Sequence, residues 1–198
     1  TWYDKLEKDF PRSPKIKDAC LKRIDVLRTL GENPAATQLM IKMLTGGFNF
    51  TLNYKESQKI LRDLVITYYG TGNLTEGIPY FAQLTAESRD PEDRALGAAA
   101  SFEAYANDKK FDEAMKLVSH LAIESETRYR PRLNVALLNA SDAVVELGRI
   151  NDAAILLNLI KTTDIIIEYN EEKLAKTTAK LEQRVAFGAS AEVTDKLE

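Results

Sequence analysis

The chain is short of the residues on which most active sites are built, and each shortage removes a class of function. Its one cysteine, Cys20, leaves no internal disulfide and cannot supply the thiolates of a structural zinc site. With His120 as the one histidine, any Ser-His-Asp or Cys-His arrangement has to be built on it. Neither charge is in surplus: 27 Lys and Arg face 30 Asp and Glu, a net charge of −3. The basic excess or stripe of a general nucleic-acid binder is therefore missing. No apolar run approaches the roughly 18 to 20 residues that span a bilayer. The run Ile165-Ile166-Ile167 is closed off by Asp164 and Glu168. Gly70-Thr71-Gly72 lacks the rest of a phosphate-binding glycine loop and reads as a helix-to-helix turn. The chain opens on Thr1-Trp2-Tyr3 without an initiating methionine or a signal segment, which predicts a fragment of a longer protein or a processed chain.

What is present is helical periodicity. Apolar residues recur at three- and four-residue intervals in Trp2–Phe10, in Ile16–Leu30, in the stretch holding Leu39, Met40, Met43 and Leu44, and in Glu56–Tyr69. They recur again in Thr75–Ser88, Glu92–Asn107, Phe111–Ile123, Arg132–Leu147 and Asn151–Lys161, and in a long last segment from about Ile165 to Phe187. Pro11-Arg12-Ser13-Pro14, Gly31, Gly46-Gly47, Arg89-Asp90-Pro91, Gly148 and Gly188 are the expected stops, and Asn33-Pro34 the expected start of a helix with Asn33 as its cap. Phe48, Phe50, Leu52 and Tyr54 alternate with polar residues at a strand period. A lone strand has no sheet to join, so an extended loop whose aromatics plug a gap is expected there.

Three of these segments share one motif. Leu74-Thr75-Glu76-Gly77, Phe111-Asp112-Glu113-Ala114 and Ile150-Asn151-Asp152-Ala153 each run bulky, polar, acidic, small, with the small residues 37 and then 39 apart. A weaker fourth enters the alignment 41 residues before the first, at Ala36, where Asn33-Pro34-Ala35 replaces the bulky, polar and acidic residues. Aligned on the small residue, position −12 holds Ile24, Val65, Phe102 and Ser141, and position −9 holds Leu27, Tyr68, Tyr105 and Val144. Position −3 holds Asn33, Leu74, Phe111 and Ile150. Position +4 holds Met40, Phe81, Val118 and Leu157, and position +7 holds Met43, Leu84, Leu121 and Ile160. A fixed period of this length is the mark of stacked helical hairpins.

From residue 16 to residue 161 the pattern resembles the tetratricopeptide repeat, without that family's Trp-Leu-Gly opening and with longer spacings. The resemblance implies an all-α fold: a right-handed superhelical array of antiparallel hairpins, an α-solenoid, with a long C-terminal capping helix. It implies a single repeat domain over 1–187, comprising a half-repeat at 1–10, hairpins at about 16–46, 56–88, 92–123 and 132–161, and a cap at about 165–187. Residues 188–198 are left as a flexible tail. The segment Phe10-Pro11-Arg12-Ser13-Pro14 resembles links in bacterial periplasmic and outer-membrane-associated tetratricopeptide proteins, which tilts localisation toward those compartments.

The same resemblance implies function. First helices of such arrays line a concave groove that holds a protein or peptide, with no catalysis, cofactor or metal. By register the groove-facing residues are Lys22, Asp25, Arg28 and Thr29; Arg62, Ile66 and Tyr69; Glu103 and Asn107; and Asn139, Asp142 and Glu146. The set is more basic in the first half and more acidic in the second. The Lys, Asn and Arg with which some family members clamp a C-terminal carboxylate are replaced here by Leu21, Lys22, Asp25, Lys59, Asp63 and Ile66, which disfavours chaperone C-termini as partners. Two alternatives are a non-catalytic helical domain of a larger, cell-wall-processing enzyme and a module that self-associates through the Trp2, Tyr3 and Leu6 end. Other features read blandly: His120 as a surface or partly packed residue, Glu168, Glu171 and Glu172 as decoration of the last helix, and Arg128, Arg130 and Arg132 around Tyr129 as a solvated loop.

Overall fold

The computed structural model describes residues 2–121, 129–160 and 168–195, and among these the fold is all-helical, with eleven helices and no strand. The chain divides into two compact units, residues 1–88 and 89–198, where the repeat spacing predicts one domain over 1–187. The first unit holds α1 (Trp2–Asp9), α2 (Ile16–Thr29), α3 (Asn33–Leu44), α4 (Tyr54–Thr71) and α5 (Leu74–Glu87). The second holds α6 (Pro91–Asn107), α7 (Phe111–Met115), α8 (Val118–Leu121), α9 (Arg130–Glu146), α10 (Ile150–Asn158) and α11 (Glu168–Asp195).

Within each unit the helices pair as antiparallel hairpins, and the four hairpin turns repeat one another in backbone conformation. Five residues before each small residue stands a left-handed residue: Gly31 (φ 76°), Gly72 (φ 78°), Lys109 (φ 59°) and Gly148 (φ 75°). The next residue, Glu32, Asn73, Lys110 or Arg149, takes φ between −75° and −85° with ψ between 52° and 67°. The residue after that, at position −3, opens the second helix in all four copies. The small residue then donates the first helical hydrogen bond, Ala36 to Glu32, Gly77 to Asn73, Ala114 to Lys110 and Ala153 to Arg149, at 3.0 to 3.2 Å. A left-handed residue just past a helix satisfies its last carbonyls, as Glu32 N–H does with Leu27, Lys110 with Tyr105 and Arg149 with Val144. Asn33 is thus the first residue of α3 and not its cap; Glu32 holds the cap position without a side-chain bond.

Burial follows the repeat register. Ala36, Gly77, Ala114 and Ala153 are buried, as are Ile24, Val65, Phe102 and Ser141 twelve positions earlier. Met43, Leu84, Leu121 and Ile160 are buried seven positions later. The size of the small residue answers the residue four positions on. A methyl group on Gly77 would lie 2.2 Å from the tip of the Phe81 ring, whereas the three alanines precede Met40, Val118 and Leu157. Glycine is required where phenylalanine fills that position. In the second unit the core runs through Phe102, Leu137, Val144 and Leu156, with Leu174 and Leu181 of α11 packed against it.

The alternating Phe48–Tyr54 stretch forms no strand, and up to Asn53 it is the loop expected there. Several other local expectations are corrected. Phe48 and Phe50 stack on one another with centroids 5.1 Å apart, and the Lys42 ammonium stands 4.3 Å from the Phe48 centroid. Tyr54 begins α4 and donates its hydroxyl to the Glu87 carbonyl at 3.2 Å. The helix expected over 111–123 is two short ones, because Leu117 and His120 donate to carbonyls three residues back, which tightens the chain between them. Residues 122–123 lie outside the described residues, as do 161–167, where the last helix was expected to begin. Gly188 does not end that helix. The helix continues to Asp195, so the tail expected at 188–198 is helical as far as it is described. One glycine costs a helix interior about 1 kcal/mol, and the neighbouring Ala186, Ala189 and Ala191 are the best helix formers.

Candidate functional site

The residues assigned to the groove fall into two environments. In the first unit, the C-terminal halves of α2 and α4 and the start of α3 enclose a surface depression of about 500 Å³ lined by Asp25, Arg28, Thr29, Asn33, Ile66, Thr67, Gly70 and Thr71. Three sequence-predicted residues, Asp25, Arg28 and Ile66, meet here, as does Thr29. Arg28 is committed to Asp63 across the helix pair at 2.9 Å. Lower down the same pair Lys17 holds Glu56 at 2.7 Å. That hydrogen bond, helped by the Asn53 N–H, keeps the Glu56 carboxyl below the usual carboxylate range. Lys22 and Arg62 are exposed on the same helices, outside the depression. Tyr69 does not face solvent: it is wholly buried and belongs to the core. Tyr68 beside it is buried as well, because the apolar stripe of α4 is wide enough to take both tyrosines inward.

Asn33, Thr67, Gly70 and Thr71 were not read as site residues. The threonines are helical and spend their protons within the helix: Thr29 donates to the Asp25 carbonyl at 2.8 Å, Thr67 to Asp63 at 2.8 Å and Thr71 to Thr67 at 2.9 Å. Gly70 lies inside α4, has no positive φ, and a methyl group there would touch nothing within 4 Å. Neither backbone nor packing calls for glycine at this position. The sequence places Gly70 and Thr71 in the helix-to-helix turn, whereas both belong to α4, and only Gly72 makes the turn.

In the second unit the equivalent positions are occupied by the protein's own side chains. Lys180 of α11 bonds Asp142 at 2.8 Å and Glu146 at 2.9 Å, which raises the lysine pKa above its ordinary range. Lys173 donates to Asn139 at 2.7 Å, and Arg184 lies 3.7 Å from Glu146. Glu103 is gripped by Arg132 through two bonds of 2.7 and 2.8 Å. Of the predicted residues on this unit, Asn107 alone is exposed with no such bond among the described residues.

The remaining candidates are structural in setting. His120 is partly packed in α8. The basic residues around Tyr129 are not a solvated loop: Arg130 is buried and donates to the Leu159 carbonyl at the end of α10, and Arg132 holds Glu103. A cation at a helix C-terminus meets the negative end of its dipole. Arg128 lies outside the described residues. Glu171 is exposed and Glu172 pairs with Lys176 one turn on. Among the described residues no three His, Cys, Asp or Glu side chains converge as metal ligands, and no helix is long and apolar enough to cross a membrane. No protein-family model matches the chain, and no curated protein or solved structure matches it.

Proposed function

We propose that the protein is a non-catalytic binding scaffold, a tetratricopeptide-like superhelical array that takes a protein or peptide partner on its first helices. The observation that carries this reading is the four-fold recurrence of one turn, with a left-handed residue five positions before a buried small residue. Hairpins repeated so closely bury themselves against neighbours and leave one side of each first helix to solvent, which is how repeat proteins present extended surfaces. The partner surface is the α2–α4 face, where Asp25, Ile66 and the depression remain open. The test is a peptide-display screen with the whole chain, repeated with Ile66→Gln and with Asp142→Asn. Binders lost in the first variant and kept in the second support the reading. Binders indifferent to both exclude these faces.

A second reading, self-association through α1, is favoured by the exposure of Trp2 (68%) and Phe10 (62%). It predicts a mass that rises with concentration in sedimentation and falls back in Trp2→Ala. A concentration-independent monomer of about 22 kDa, the mass of one chain, excludes it.

A further inference from the structure

The threonine hydroxyls of the depression in the first unit can accept hydrogen bonds but have no proton left to give, which leaves Asn33 and Arg28 as the donors of the lining. A hydroxyl that donates to a carbonyl keeps only its lone pairs for a ligand. Thr29, Thr67 and Thr71 have all spent their protons in this way. The Asp25 carboxylate is exposed, and it takes part in no ion pair among the described residues. Arg28, the one cation in the lining, is neutralised by Asp63 at 2.9 Å. Ile66 supplies an apolar flank, and Gly70 keeps the floor open where alanine would favour the helix. Across the ridge of Asn33, Thr67 and Thr71 lies a second hollow of about 420 Å³, which mixes acceptors with the side-chain amides of Gln38 and Asn73. There Thr37 donates to the Pro34 carbonyl at 2.9 Å, and the exposed Glu76 carboxylate has no ion pair among the described residues.

From this donor-hungry lining we infer that the depression receives the basic side chain, arginine or lysine, of a partner peptide. The stem lies along Ile66 and the charged head is held by Asp25 and the threonine oxygens. A long aliphatic stem ending in several N–H donors matches one apolar flank and a ring of acceptors. A carboxylate would find donors only on Asn33 and on an Arg28 already paired with Asp63, and would meet the threonine lone pairs and the like charge of Asp25. The inference rests on the scaffold reading and sharpens it: the partner segment is basic at this point, and the second hollow favours another basic residue nearby.

The test uses the whole chain and three peptides, acetyl-Gly-Arg-Gly-amide and its citrulline and glutamate counterparts, titrated while backbone amide resonances are followed. The arginine peptide shifts Thr29, Asn33, Gly70 and Thr71 saturably. Citrulline, which keeps the shape and loses the charge, binds about fivefold more weakly, and the glutamate peptide leaves these amides in place. Asp25→Asn removes the preference for arginine over citrulline. Gly70→Ala raises the melting temperature, as expected for a helix interior, while weakening the arginine peptide, so misfolding cannot account for the loss. Equal binding of arginine and citrulline, an unchanged affinity in Asp25→Asn, or no saturable shift overturns the inference. A partner from the display screen that still binds Asp25→Asn and Gly70→Ala removes this inference and leaves the scaffold reading intact. If the screen yields no partner while the arginine peptide still binds as described, it is the scaffold reading that fails.

Discussion

The two units carry the same repeat and treat its outer face in opposite ways. In the second, Glu103, Asn139, Asp142 and Glu146 are each bonded by a cation or ammonium from a neighbouring helix. In the first, two ion pairs tie α2 to α4, yet a depression with an unpaired carboxylate stays open between them. Their compositions differ accordingly: residues 1–88 have 12 Lys and Arg against 10 Asp and Glu, residues 89–198 have 15 against 20. The acidic excess of the second unit is met on this face by the lysines and arginine of α11. Register places a side chain on a face. The next helix decides whether that side chain is available.

The sharpest way to break the parallel between the units is at the hairpin crossings. Gly77→Ala should lose about 1 to 3 kcal/mol, because the clash with a fully buried ring outweighs the roughly 1 kcal/mol gained in helix propensity. Phe81→Leu should restore much of that loss in the same background, since leucine follows alanine without penalty at Ala153. In the second unit Ala153→Gly should lose only about 1 kcal/mol. Urea unfolding of the four proteins makes the comparison, and a loss in Gly77→Ala that Phe81→Leu does not relieve would refute the size rule.

The turns come next. Lys109 holds a left-handed φ that glycine holds in the other three copies. Lys109→Gly should therefore stabilise by up to about 1 kcal/mol, and Gly72→Ala should destabilise by about as much. Shifts in melting temperature of the same sign would show that the two turns are not equivalent. A smaller effect separates the ion pairs. Glu103→Gln should cost about 1 kcal/mol, because a bidentate pair with a mostly buried carboxylate is broken. Asp63→Asn, a single bond between two part-exposed groups, should cost less. Thermal unfolding of both variants would reverse the assignment if Asp63→Asn proved the costlier.

The smallest expected effect is in alkali. The pKa of Lys180 is raised by its bonds to Asp142 and Glu146. Its contribution is therefore complete at neutral pH and is lost only as the pH rises through and beyond the ordinary lysine range. The difference in melting temperature between the protein and Lys180→Met should be constant near neutrality and shrink in that alkaline window. A difference that grows with pH would have the wrong sign for this pair.

Much of the architecture was legible because it is local. The glycines at 31, 72 and 148 announce their turns, and the bulky-polar-acidic-small motif marks where α5, α7 and α10 begin and which residue is the buried small one. What sequence did not disclose depends on distant partners. Nothing near Asp142 indicates that a lysine 38 residues later will bond it. Nothing near Arg130 indicates a carbonyl at Leu159. Tyr69 looked groove-facing because the repeat register gives the core to Tyr68, whereas packing buries both tyrosines. The extension of α11 past Gly188 was missed because one glycine was given the weight of a stop when its alanine neighbours outweigh it.

The way each helix starts has a consequence for how this chain can be cut. α4 and α6 begin at side-chain caps, Asn53 with Glu56 in a reciprocal box and Asp90 on the N–H of Glu92. The four second helices begin without any such bond and rely on the turn that precedes them. α2 and α9, the other two first helices, start without a side-chain bond, so among the first helices only α4 and α6 are capped in this way. A protease nick or an inserted segment between Phe48 and Thr51 leaves α3 its Gly46-Gly47 terminator and α4 its Asn53 cap. The same cut at Glu32 or Asn73 removes the only thing that starts the helix after it. Ahead of α4 and α6, therefore, the chain tolerates interruption at the edge of a hairpin better than within one.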